Sequence, residues 1–134
     1  MVISSLILPP RGLPYCLFRD PELAHVGMNE SEARGKHVPC RLATLPMSLV
    51  LRTRTLSQTR GFMKALVGAD DRILGFTALG AEASELMAVV QTAMLGGLPY
   101  TLLRDAIFTH PTAAEGLGGL FANGLSGRNG GTAN

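Results

Sequence analysis

The sequence of 134 residues contains no Trp, two Cys and only 5% aromatic residues. Its interior therefore has to be built from aliphatic side chains and its six Met. Cys16 and Cys40 lie too far apart for a close-spaced metal or redox motif, so no metal site is expected, and both read as ordinary thiols of a reducing compartment. Charge of one sign is scarce as well: twelve Lys and Arg against ten Asp and Glu leave a net charge of +2. That is too little for the electrostatic footprint of a nucleic-acid-binding protein. The basic cluster of Arg52, Arg54, Arg60 and Lys64 has no interleaved aromatics for base stacking and reads as a solvated face. No apolar run approaches the ~18 residues that a membrane span requires. Met1 to Leu8 is apolar but lacks a basic leader, and Pro9-Pro10-Arg11 follows where a cleavage site of small residues would stand. A cytoplasmic location is expected. A dinucleotide-binding Gly-x-Gly-x-x-Gly is also missing; Gly116-Leu117-Gly118 has Phe at position 121 and follows a turn rather than a strand.

What is present is apolar. Hydrophobic residues make up 46% of the chain, and the mean hydropathy is +0.24. One domain of this length can bury a core. The excess apolar content argues that part of its surface is covered from outside the chain, most simply by a subunit interface.

Along the chain, residues 1 to 14 end in Pro9-Pro10-Arg11-Gly12-Leu13-Pro14 and read as a linker or extended arm. Tyr15-Cys16-Leu17-Phe18 opens the first strand, Asp20-Pro21 turns, and Glu22 to Gly27 returns. His25 has Glu22 as its one acidic neighbour at a useful spacing, which favours a structural or exposed role. Asn29 followed by Glu32 predicts a capped short surface helix ending at Gly35. Val38 to Leu45, bounded by Pro39 and Pro46, reads as an edge strand, and residues 47 to 60 as a loop. Phe62 to Val67 and Ile73 to Leu79 form a hairpin, with Met63, Ala65 and Val67 on one face and Leu74, Phe76 and Ala78 on the matching one. A helix over residues 81 to 96, apolar nearly all round and hence buried, covers them. Helices follow from Pro99 to about Ile107 and from Ala113 to Ala122, and Asn123 to Asn134, rich in glycine, is expected to be disordered.

The junction between the last two helices concentrates the chemistry. Pro111 denies His110 the α conformation and stops the upstream helix. Thr112 with Glu115 three residues on has the spacing of a capping box, which restarts a helix with the carboxylate folded back. The turn thus holds an imidazole beside a carboxylate. A hydrogen bond from the Thr112 amide and one from the His110 ring compete for that carboxylate, and the His110 contact is expected, although the two oxygens allow both.

From about Tyr15 to Ala122 the chain resembles the C-terminal dimerisation domain of the FAD-dependent pyridine nucleotide-disulfide oxidoreductases, which include glutathione reductase, dihydrolipoamide dehydrogenase and mercuric reductase. The match is carried by Phe18-Arg19-Asp20-Pro21-Glu22-Leu23-Ala24-His25-Val26-Gly27, Gly61-Phe62-Met63-Lys64, Ile73-Leu74-Gly75, and His110-Pro111-Thr112 with Glu115. Leu103 to Ile107 and Glu115-Gly116-Leu117 look most like the mercuric-reductase branch. The resemblance implies an α+β fold, an antiparallel sheet of about four to five strands covered on one face by helices, over residues 15 to 122. It also implies a homodimer, a cis His110-Pro111 bond, and roles for His110 as acid-base catalyst, for Glu115 in orienting it, and for the His110 and Pro111 backbone in contacting a flavin. FAD and NAD(P)H are implied for a complete enzyme and neither is expected to bind this chain alone.

Two classes of function follow. The chain is either the dimerisation domain of a flavin disulfide reductase whose active site other domains or a separate flavin/NAD(P)H-binding chain complete, or a free-standing homodimeric interaction module without catalytic activity.

Overall fold

A computed structural model describes residues 13–126. Residues 1–12 of the arm and 127–134 of the glycine-rich tail lie outside the described residues. The framework is a five-stranded antiparallel sheet built from β1 (Tyr15–Leu17), β2 (Leu23–Gly27), β3 (Cys40–Pro46), β4 (Phe62–Gly68) and β5 (Ile73–Leu79), in the order β1-β2-β5-β4-β3. Five helices complete it: α1 (Glu30–Gly35), α2 (Leu51–Thr55), α3 (Ala83–Leu95), α4 (Tyr100–Asp105) and α5 (Glu115–Asn123).

Alternation along the strands sends Ala24, Val26, Ala43, Leu45, Met63, Ala65, Val67, Phe76 and Ala78 to one face. There they pack against Leu86 and Val90 of α3, Leu103 of α4, and Leu117, Leu120 and Phe121 of α5. This is the main core, aliphatic and Met-filled as the composition required. The opposite face is partly covered too: Leu66 and Leu74 pack with Met28 and with Ala33 of α1.

Leu74 is on that second face because of a β-bulge. Ala65 pairs with Phe76 and Leu66 with Gly75, but Val67 pairs with Ile73, so Leu74 is the extra residue and Ile73 joins Phe76 in the main core. A strict period of two, which put Leu74 beside Phe76, fails at an inserted residue.

Three further expectations change. Residues 47 to 60 are not a loop throughout: a 3-10 turn at Met47–Leu49 runs into α2. Its signal is not periodic but lies in one buried side chain, Thr53, whose hydroxyl donates to the carbonyls of Met47 (2.5 Å) and Val50 (2.8 Å). α3 is not buried all round within this chain; Ala83, Leu86, Val90 and Ala93 are buried, whereas Leu95 is half exposed. Met87, Val89 and Met94 are partly buried against the main core, and Ala88 is exposed with Leu95. Finally, the ordered chain continues past position 123: the Gly124 carbonyl accepts from the Thr44 amide (3.0 Å), Leu125 bridges Ala43, and the Ser126 amide donates to the Leu42 carbonyl (2.9 Å). β3, the edge strand, is thereby covered, which an edge strand's unpaired amides and carbonyls favour.

Candidate active site

The turn between α4 and α5 is anchored at both ends and exposed in the middle. Phe108 packs against the main core and Ala113 is buried, while Thr109, His110 and Pro111 face outward. The His110-Pro111 bond is cis, as is Asp20-Pro21. Within the turn the Thr112 hydroxyl donates to the Thr109 carbonyl at 2.6 Å.

Glu115 makes both of its possible contacts. Oε1 and Oε2 lie 2.8 and 3.0 Å from His110 Nδ1, and Oε2 also accepts from the Thr112 backbone N–H at 3.1 Å. The capping box is therefore half formed: the carboxylate reaches back to the Thr112 amide, but the Thr112 hydroxyl serves Thr109 and α5 begins only at Glu115. An ionised carboxylate can only accept, so Nδ1 carries the proton and Nε2 keeps its lone pair. The ring is two-thirds exposed.

The Thr112 amide, and after it the His110 ring, hold the Glu115 carboxyl below the usual carboxylate range, against an opposing contribution from desolvation. A depressed carboxyl stabilises the folded turn above its unfolded pKa of about 4.3 and loses that contribution as pH falls through the lower folded value. Carbon-13 NMR is expected to show Glu115 titrating below the ordinary value of a free glutamate. His110→Ala should raise its midpoint only part of the way, since the amide remains.

The other histidine of interest is structural, one of the two roles its sequence neighbourhood favoured. His25 is 8% exposed, with Nε2 2.9 Å from the Gly27 carbonyl and Nδ1 2.8 Å from Thr77 Oγ1. Its acidic neighbour Glu22 accepts instead from the amide and hydroxyl of Ser84. Among the described residues no cluster of His, Cys, Asp and Glu could hold a metal ion, and no helix is long and apolar enough to cross a membrane. Nor do the described residues form a cradle for a dinucleotide. Every strand pairing is antiparallel, and the β5–α3 junction carries acidic Glu82 in the left-handed conformation rather than a glycine-rich turn.

Residues 13–120 match the family described as the pyridine nucleotide-disulphide oxidoreductase dimerisation domain. The probable pyridine nucleotide-disulfide oxidoreductase RclA of Escherichia coli (strain K12) is 40% identical over 113 residues, which are 84% of this chain and 26% of that protein. Dihydrolipoyl dehydrogenase 2 of Haloarcula marismortui is 34% identical over 106 residues, 78% of this chain and 22% of that protein. The solved structure of the HOCl-induced flavoprotein disulfide reductase RclA from Escherichia coli superposes with a TM-score of 0.81 at 39% identity, over 84% of this chain and 26% of that one. The chain thus spans about a quarter of the length of these relatives. A helix-backed antiparallel sheet, a His-Pro-Thr turn with its glutamate, and a match over most of the chain agree: the protein belongs to the pyridine nucleotide-disulfide oxidoreductases, as their dimerisation domain.

Proposed function

We propose that this chain supplies an interface and an acid-base histidine to a flavin disulfide reductase whose active site is completed by other domains or by a separate flavin/NAD(P)H-binding chain. The observation that carries the reading is the oriented, exposed imidazole: the Glu115 carboxylate lies 2.8 Å from Nδ1 and the His110 side chain is two-thirds exposed. An imidazole whose tautomer is set by a carboxylate can take up and release protons at neutral pH. In that role Nε2 takes a proton from, and returns it to, a thiol presented by another domain. FAD and NAD(P)H would be held elsewhere and would supply the electron transfer. This chain's share is the exposed His110-Pro111 edge, whose backbone would face the flavin. The compartment proposed is the cytoplasm, consistent with the free thiols of Cys16 and Cys40.

The test is reconstitution. A relative's flavin and nicotinamide domains, produced without their own dimerisation domain, are mixed with this chain and NAD(P)H oxidation is followed. Turnover is expected only in the mixture, and this chain alone should be colourless and inactive. A mixture no faster than the flavin domains alone would overturn the reading in favour of an interaction module.

Self-association is the second part of the proposal. Leu95, Leu98, Leu102 and Ile107 are all exposed, Ile107 completely, around the end of α3 and along α4. Covering such side chains is favourable by ~25 cal/mol per Å² of apolar surface removed from water. A two-fold dimer through an isologous surface is expected in sedimentation at high micromolar concentration. A monomer throughout that range would count against it.

A further inference from the structure

The His110 ring has one hydrogen-bond partner among the described residues, the Glu115 carboxylate, so its orientation depends on where α5 begins. That helix start has no side-chain cap, and Ala114 before it is already helical. Its depth is decided by packing from beneath. Gly116 is buried, and a Cβ built there would lie 2.8 and 3.2 Å from the two γ-carbons of Val50 and 3.1 Å from Met63 Cε. Ordinary carbon contacts are ~3.5–4.0 Å. The Met63 methyl ends a flexible chain and can move aside. Val50 cannot do so readily: it is β-branched, 2% exposed, and fixed through its backbone. Its amide donates to the Met47 carbonyl at 3.0 Å, and its own carbonyl accepts from the amide (3.1 Å) and hydroxyl (2.8 Å) of Thr53.

We propose that Val50 and Gly116 are positioning residues for the His110–Glu115 pair: the Val50 isopropyl group, seated on the bare Cα of Gly116, sets the first turn of α5 and so the reach of the Glu115 carboxylate to Nδ1. The consequence for catalysis rests on the reductase reading given above. The positioning itself is a property of this chain alone.

Nitrogen-15 spectra of the His110 ring, recorded well above the ordinary histidine pKa of about 6.5 and assigned with His110→Gln, report the tautomer directly. An imidazole without a partner at Nδ1 prefers the Nε2–H form, so a held ring and a loosened one differ. The wild type is expected to show Nδ1–H. Gly116→Ala should shift the population toward Nε2–H while the thermal midpoint stays close to that of the wild type, because alanine favours the helix. The double variant Val50→Ala with Gly116→Ala, in which the lost γ-methyls make room for the new Cβ, should restore Nδ1–H. Wild-type ring spectra in folded Gly116→Ala, or no recovery in a folded double variant, would overturn the proposal. If Gly116→Ala does not fold, Val50→Ala alone carries the test: loss of the seat should mix the tautomers, and unchanged spectra in the folded variant would count against the proposal. Turnover plays no part in this readout. Failure here leaves the ring spectra unmoved, whereas failure of the reductase reading leaves reconstituted turnover indifferent to His110.

Discussion

His110→Ala is expected to lower the turnover of the reconstituted reductase by about 10²- to 10⁴-fold, the usual contribution of a positioned general acid-base group. The argument is geometric before it is electrostatic. The Glu115 carboxylate, 2.8 Å from Nδ1, commits the ring to one tautomer and leaves Nε2 as the nitrogen that exchanges protons. Alanine removes that nitrogen but leaves Glu115 tied to the Thr112 amide at 3.1 Å, so the helix start should survive and assembly should be unaffected. Steady-state kinetics with sedimentation as a control separate the two effects. A loss in kcat with intact assembly supports the acid-base role. Equal turnover in wild type and variant would mark the pair as a relic and the chain as an interaction module.

Gly75→Ala is expected to cost about 3 kcal/mol of folding stability, at the upper end for overpacking a well-packed interior. A Cβ at position 75 would lie 1.9 Å from the Met28 carbonyl oxygen and 2.8 Å from the Met28 carbonyl carbon and nitrogen. These are backbone atoms, and the Met28 amide is itself bonded to the Leu74 carbonyl at 2.9 Å, so there is no rotamer to adjust. The two chains approach this closely because Gly75 faces Gly27 across the β2–β5 ladder, beside the bulge at Leu74. Gly35→Ala is the control. A Cβ there meets nothing within 4 Å, so alanine should be neutral or should stabilise by about 0.4–1 kcal/mol through the unfolded chain. Urea midpoints compare the two; a Gly75→Ala midpoint equal to that of the wild type would show that the sheet yields at this crossing.

Much of this was legible in the residues. The hairpin of β4 and β5, the edge position of β3 between its prolines and the apolar helix α3 follow from period-two alternation and from proline and glycine chemistry, all of which are local. The His-Pro-Thr turn with Glu115 was legible for the same reason: a proline that ends a helix and a carboxylate that reaches back over three residues act within six positions of one another. The structure decided what depends on groups distant in sequence. Leu74 changed faces because the register of β5 against β4 shifts between Leu66 and Val67, which no one-strand period can register. Met47–Leu49 and Leu51–Thr55 became helical turns on either side of Val50, and the buried Thr53 hydroxyl, within reach of the Met47 and Val50 carbonyls, ties the two together. Glu115 serves both the amide and the imidazole because the turn brings both donors to one carboxylate, an outcome the spacing allowed but did not choose. The seat of Val50 against Gly116, 66 positions apart in the sequence, exists only once the sheet and α5 have packed. Sequence alone determined most of the local elements and the neighbourhood of His110 and Glu115; tertiary packing determined where they sit, because contacts between distant residues carry no local period to read.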